Sequence, residues 1–569
     1  MEQAKGGMQI QRRGGCARGV SASVVAVLMA VVGDQANAFG LKTDNPDIDM
    51  RWDNTVKYSA AWRLKDPDPA VAGSAVNSNL DDGDLNFGKG LISNRVDLLS
   101  EFDFSYKKTA GFRLSGAAWY DDVYQHGTDN HSPSTTNDVS AAYDQFNSAT
   151  KKLHGNDAEF LDAFVWGRTD LGDDKTLSVR AGRYTLLYGE SLFLGGNGIA
   201  GAQSSIDVVK ALSVPNVQFK EIGRPIGQVS GDLQISSNLS LGAYYQVEWR
   251  KYRVPGSGSY FSVADVLDAG AEALYAPGAA FGPGGLYFQR GTDIKARNSG
   301  QGGMQVRFKT SPNWEFGLYA AQFHDKTPKI YVRPGVNALG PTAFGTSIGD
   351  YVLVYPEDIR VFGGSFATVV GDTNVSGEIS MRTNQPLAGA NGDVFADPTG
   401  QANNNSNPLY PVGRTFHANV SAISLIPATK LWDGASVVGE LGFNRRLSVS
   451  NNNALDPSVT RDAFGMRVSF EPNYFQVIPD VDLTVPIGLG YAFSGRSSLG
   501  PNVFGPNNGG DFSIALNADY HKQVKFGLQY THYLGTKGPL TLDPVVRQYS
   551  YYQTYADRDF ISFSVQTSF

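Results

Sequence analysis

Ile561-Ser562-Phe563-Ser564-Val565-Gln566-Thr567-Ser568-Phe569 is the stretch that decides the fold class. Ile561, Phe563, Val565, Thr567 and Phe569 fall on one side of an extended chain, and Ser562, Ser564, Gln566 and Ser568 on the other. One apolar and one polar face suit a wall between lipid and a wet lumen. Phe563, Val565 and the terminal Phe569 have the form of the closing-strand signal read by the bacterial outer-membrane barrel assembly machinery. That machinery is therefore an expected partner, as is outer-membrane lipid.

Moving outward, the same alternation recurs along the chain, beginning at Met50 to Leu64, where Trp52, Val56, Tyr58, Ala60 and Trp62 oppose Arg51, Asp53, Thr55, Lys57, Ser59 and Arg63. It continues in residues 92–106, 112–124, 158–170, 175–187, 227–235, 239–251, 299–309, 313–325, 358–370 and 373–384. It then appears in 413–425, 434–448, 461–471, 480–493, 511–521, 523–535 and 557–569, with Pro486 interrupting one segment. The expectation is an all-β, transmembrane antiparallel barrel of about 18 strands, or 16 or 14 if a pair of segments belongs to a loop. Eight short turns and nine longer loops alternate, which places short periplasmic turns on one rim and long outer loops on the other. Closing the sheet also removes the unpaired edges that so many strands would otherwise expose.

The amino end gives the address. Residues 1–38 read as a secretory signal peptide: Lys5, Arg12, Arg13 and Arg18 precede the apolar run Ser23 to Val32, and Ala36-Asn37-Ala38 is a small-x-small site. Cleavage between Ala38 and Phe39 leaves 39–569 as one barrel domain. The apolar run is too short to span a bilayer, for which about 20 residues are needed. The expected location is the outer membrane of a Gram-negative bacterium. Cys16 is the only cysteine and lies inside the signal, so the mature chain has no disulfide and no thiol chemistry. Removing the signal takes away four basic residues and two acidic ones (Glu2 and Asp34), leaving 44 Lys+Arg against 53 Asp+Glu, a net charge of −9. No basic block is present, which argues against nucleic acid.

Chemistry is sparse. There is no Gly-x-Ser-x-Gly elbow, no His-Glu-x-x-His pair and no phosphate-cradling loop, and no enzyme activity, cofactor or metal is expected. His126, His131 and His154 share one polar region, residues 128–157, read as an outer loop. Asp81-Asp82-Gly83-Asp84-Leu85-Asn86 spaces oxygen ligands as a calcium loop would, but lacks the bidentate Glu that follows, so it reads as a solvated loop. The inward face mixes Arg51, Arg63, Arg95, Arg113, Arg180, Arg307, Arg360, Arg382 and Arg467 with Asp97, Glu101, Asp121, Glu248, Glu315, Glu378 and Glu440, which most simply cross-pair. Two long loops carry apolar surface: 188–226, with Leu192, Phe193, Leu194 and Ile199, and 252–298, with Tyr260, Phe261, Val263 and Phe281. Such surface is expected to fold into the lumen, cover the mouth, catch an apolar ligand or pack loop on loop.

Several separate motifs resemble one proteobacterial outer-membrane family, known only as domain of unknown function thirteen-oh-two. They are Asp82-Gly83-Asp84-Leu85-Asn86-Phe87-Gly88-Lys89-Gly90 with Arg95, then Gly182-Arg183, Tyr188-Gly189-Glu190-Ser191, Val214-Pro215 and Tyr245-Gln246-Val247-Glu248-Trp249. Tyr355-Pro356-Glu357-Asp358-Ile359-Arg360, Gly364-Ser365-Phe366, Gly377-Glu378 and Asp557-Arg558-Asp559-Phe560 complete the set. Tyr188 stands where Trp is expected, and 385–410 is Asn-rich and poorly matched. The resemblance implies a plan similar to the long-chain fatty-acid outer-membrane channel, with a periplasmic lipid-binding-like protein and an envelope transporter as partners. It carries over Glu190, Ser191, Glu357, Asp358, Arg360 and Glu378 as motif residues, acting in a lumen-spanning network, as loop anchors or in substrate contact.

The functional expectation is a porin-like channel for hydrophobic or amphiphilic small molecules such as fatty acids, esters, aromatics or sterols. Its alternatives are a water-filled porin for polar solutes and an envelope component transferring lipid or surface material with a periplasmic partner. A hydrolase built on Ser191 is the remaining one. The candidate lumen and loop network is Arg95, Asp97, Glu101, Arg113, Asp121, Glu190, Ser191, Glu248, Glu357, Asp358, Arg360, Glu378 and Arg382.

Overall fold

The computed structural model describes residues 39–569 except 42, 73–77, 173, 216, 218, 277–283, 312 and 543–547. The signal peptide with Ala38, and Phe281, lie outside the described residues. The chain forms a closed antiparallel barrel of 18 strands. The first strand, Ile48–Arg63, pairs on one side with the second, Gly90–Tyr106, and on the other with the last, Phe560–Ser568. At that seam Tyr58 faces Val565, Ala60 faces Phe563 and Trp62 faces Ile561. Phe569 exchanges two backbone bonds with Asn54, at 2.7 and 2.9 Å, so the final residue closes the ring. A one-residue slip would turn every apolar residue of the seam into the lumen, which is why the alternation fixes the register.

Each segment read from the sequence is a barrel strand. The strand interrupted by Pro486 survives as two halves, Val481–Thr484 and Ile487–Ser494. The gap is bridged by the Val485 amide to the Pro472 carbonyl at 3.0 Å and the Ala515 amide to the Pro486 carbonyl at 2.9 Å. Outward residues such as Phe160 (78% exposed), Leu318, Ile379 and Leu441 form an apolar exterior. Among the described residues no helix is long and apolar enough to cross a membrane, so any crossing is made by strands.

The long loops build a second body over one mouth. Ala273–Tyr275, Leu286–Arg290, Lys329–Pro334, Thr346–Val354 and Val394–Ala396 join into a small sheet drawn from three different loops. Tyr351, Val352, Leu353, Val354 and Tyr331 are wholly buried in it. The apolar residues of 252–298 are therefore consumed largely in loop-on-loop packing. Residues 128–157 are also built in, correcting their reading as a plain outer loop: Asn130, Asn137, Asn147 and His154 are each buried. His154 accepts the Gly256 amide at 3.1 Å, and burial lowers its pKa to about 3.

Candidate functional site

The loop between the strands Lys175–Tyr184 and Ile226–Ser236 turns into the lumen, and two wall carboxylates hold it there. Glu378 projects inward from Thr373–Pro386, opposite in phase to the exposed Ile379. It accepts the Glu190 amide at 2.7 Å and the Ile199 amide at 2.8 Å. Glu440, on Gly434–Ser450, receives the Ser191 hydroxyl at 2.7 Å and the amides of Leu192, Phe193 and Leu194 at 3.2, 2.5 and 2.8 Å. Arg382 donates to the carbonyls of Gly196 and Gly198 at 3.0 and 2.6 Å. Charged partners make these bonds stronger than neutral ones. Asn197 completes the anchorage, bonding His417, Asn419 and Asn444 of the wall.

Two glycines make this approach possible. A Cβ at Gly189, whose φ is +96°, or at Gly198 would overlap the Glu378 carboxylate. The Gly189-Glu190-Ser191 motif is thus a loop anchor: glycine for contact, Glu190 for reach and Ser191 for the second carboxylate. The Glu190 side chain crosses to Arg307 at 3.1 Å, which also binds Glu315 at 2.5 Å. Tyr188 packs at 5.4 Å from Tyr244 and 6.3 Å from Tyr319. Farther along, Arg253 ties Asp207 at 2.7 Å to Glu159 of the wall at 2.6 Å. Because the backbone of 192–194 faces the wall, the Leu192 and Phe193 side chains stand clear at 42% and 41% exposure inside the barrel.

Other wall charges pair with neighbours: Arg95 with Asp97 at 2.7 Å, Arg113 with Glu101 at 2.5 Å and Arg467 with Asp511 at 3.1 Å, whereas Arg180 lies over the rings of Phe164 and Tyr184. Asp121 binds Ser93 at 2.6 Å. Two candidates move. Arg360 is exposed and shares a face with Phe362, 53% exposed, so it points outward, where it bonds Gln322 at 3.1 Å. Glu248 lies just past its strand and clasps Arg183 at 2.9 Å and the Gly227 amide at the rim. Glu357 and Asp358 both bind Arg297, and Glu357 also accepts Asn405 at 3.0 Å, so this motif moors two long loops to the barrel.

The Asp82-to-Gly90 and Asp557-to-Phe560 motifs meet in space, with residues 260–262. Arg63 binds Asp84 at 2.6 Å and Asp557 at 3.2 Å, and Arg558 reaches Asp84 at 3.3 Å and the Ser262 carbonyl at 2.7 Å. All are buried. Asp81, Asp82 and Asp84 are at most 3% exposed, which corrects the reading of a solvated loop. Among the described residues no group of acids or histidines is arranged to hold a metal ion.

The family described as "Protein of unknown function (DUF1302)" matches residues 19–569. The chain belongs to that family. Among solved structures it is similar to OccAB3 of Acinetobacter baumannii, at 10% identity and a TM-score of 0.40, covering 91% of this chain and 99% of that one. OccAB1 of the same organism gives 11% and 0.40, covering 94% and 98%. OpdK of Pseudomonas aeruginosa with vanillate gives 10% and 0.37, covering 91% and 98%. Likeness at that level does not extend to substrate. A stretch of 101 residues is 35% identical to the Biotin-dependent acetyl-/propionyl-coenzyme A carboxylase beta5 subunit of Mycobacterium leprae (strain TN). It spans 18% of each chain, less than a fifth of that protein's length, and assigns nothing.

Proposed function

We propose that this protein is an outer-membrane channel for hydrophobic or amphiphilic small molecules. The carrying observation is the exposed Leu192–Phe193 pair, held inside the barrel by Glu440. A water-filled pore has no use for apolar side chains presented to its lumen, whereas a channel for apolar solutes needs such a surface. The packed loop sheet over one mouth and the paired wall charges favour the same reading over an open porin. The apolar exterior and the closing-strand sequence support the outer membrane as its location.

The test is growth of a strain deleted for the gene, on fatty acids, esters, aromatics and sterols against sugars and amino acids. Slower use of apolar substrates alone, restored by the wild type but not by a Leu192→Ser, Phe193→Ser variant, is expected. Equal growth on every substrate would overturn the proposal. Single-channel recording of residues 39–569 supplies the counterpart: large steady openings would favour the polar-solute porin.

A further inference from the structure

On the neighbouring strands Asn156–Gly172 and Lys175–Tyr184, Val165 and Val179 are exposed on the outer face, so Phe164, Trp166, Arg168 and Arg180 line the lumen. Trp166 stands directly opposite Arg180, and Arg168 directly opposite Ser178. The two arginines are therefore diagonal neighbours, about 7–8 Å apart, with the indole beside them. Arg168 is the nearer to the short turn that joins the two strands.

The Arg180 guanidinium lies 4.7 Å from the ring centre of Phe164 and 5.0 Å from that of Tyr184. The rings hold the planar group by its faces and leave the N–H donors along its edge for the lumen. Both arginines are exposed, and among the described residues neither side chain donates a hydrogen bond or forms an ion pair. Their counterparts on the inner face are engaged: Arg51, Arg113, Arg307 and Arg467 each hold a carboxylate, and Arg382 holds loop carbonyls. Acids do stand nearby. Asp162 and Asp232 act on Arg180 through space without pairing with it. Asp162 is turned to Arg113 at 3.8 Å and to the Ser115 hydroxyl at 3.4 Å, and Asp170 accepts the Thr176 hydroxyl at 3.1 Å. The guanidinium edges are left to whatever passes along the lumen.

From this juxtaposition we propose that Arg180, with Arg168, is the carboxylate contact of the channel wall. Arg180 takes the carboxylate of a passing solute through parallel N–H···O bonds, and Trp166 carries the solute's apolar body. Arg168 is the next donor along the path to the short-turn rim. This rests on the apolar-substrate reading above and narrows its class to solutes that carry one carboxylate on an apolar body.

The experiment measures binding of 4-phenylbutyrate, 4-phenylbutanol and 4-phenylbutylamine to the mature protein in phosphatidylcholine nanodiscs, above their partition into protein-free discs. From the usual strength of a charge-assisted hydrogen bond, the acid should bind about tenfold or more tightly than the alcohol, and the amine least. Arg180→Gln should remove most of that preference, and Arg168→Gln with Arg180→Gln all of it, with binding of the alcohol unchanged. Arg180→Lys should restore only part, because an ammonium cannot form the fork. Trp166→Leu should weaken acid and alcohol alike. Equal binding of all three by the wild type, or a preference untouched in the double variant, would overturn the arginine contact and leave the channel proposal standing. Binding of none would overturn both. Assembly of each variant is read from heat-modifiable gel mobility, and the wild-type series decides even where a variant fails to assemble.

Discussion

Replacing Glu440 by Ala tests whether the lumen loop is held by its wall carboxylate. Five donors converge on Glu440: the Ser191 hydroxyl, three successive amides and the Asn419 side-chain amide. Each charge-assisted bond contributes about 1.5–3 kcal/mol when its partners are otherwise unsatisfied. Water can enter the lumen and re-bond most of the freed donors, so the net loss is about 3–5 kcal/mol rather than the sum. At 1.4 kcal/mol per tenfold, the ratio of held to released loop falls by about two to three and a half orders of magnitude. Glu378 and Arg382 still grip the segment 190–199 at its other contacts, so release is local and transient. The assay is single-channel recording in a planar bilayer, with insertion confirmed by heat-modifiable gel mobility. Glu440→Ala should show flickering openings that the wild type lacks, and Glu440→Ala with Glu378→Ala longer and larger ones. Glu440→Gln keeps one acceptor oxygen and should lie between. Traces indistinguishable from wild type in the double variant, at equal insertion, would refute the idea that these carboxylates hold the lumen closed.

Other expectations concern assembly and pH. Asp84→Asn removes the charge shared by the buried Arg63 and Arg558; a loss of about 3–5 kcal/mol is expected, read as a lower urea midpoint for the heat-modifiable form. Removing Phe569 takes away its bonds to Asn54 and the aromatic end of the closing strand; the fraction of assembled barrel should fall in cells while the unfolded precursor rises. The loop body should be more stable at pH 5 than at pH 8. Burial lifts the carboxyls of Asp138 and Asp265 to about 7, above their unfolded values, so the folded state binds protons more tightly. That contribution is fully present below about pH 4 and is lost as pH rises through about 7. Proteolysis of the loops should therefore accelerate with pH across that window, and a flat profile would contradict the assignment.

The barrel was legible because a strand with lipid on one side and a lumen on the other must alternate, and a closed sheet must turn and return. That local rule located all the strands, including the one broken by Pro486. It failed at Arg360, where charge was taken as a sign of the inward face. The phase of that strand is set by Phe362, and an arginine at the strand end can face outward above the apolar band. The local rule also could not show that Asp81, Asp82 and Asp84 are buried. Their burial depends on residues 260–265 and 557–558, which lie far away in sequence. Glu440 was placed on the inner face, but nothing near it announces that it captures residues 191–194.

The manner of capture explains why the lumen site is written as motifs instead of as a composition. Glu378 and Glu440 bind the loop chiefly through backbone amides, so the side chains of residues 192 and 193 are released from holding it in place. The anchor needs Gly189 and Gly198, which let backbone meet carboxylate, Ser191 and Asn197, whose side chains bond the wall, and Glu378, Glu440 and Arg382 on the wall itself. Leu192 and Phe193 donate to the anchor only through their amides and are free to serve the lumen with their side chains. It follows that exchanging Leu192 and Phe193 for other residues should change what passes without loosening the loop. Exchanging Gly189 or Gly198 for alanine should loosen the loop while leaving its apolar surface intact. Measuring substrate uptake and channel flicker on both sets separates selectivity from closure. Closure lost in the Leu192–Phe193 set would show that the side chains, and not the wall carboxylates, do the holding.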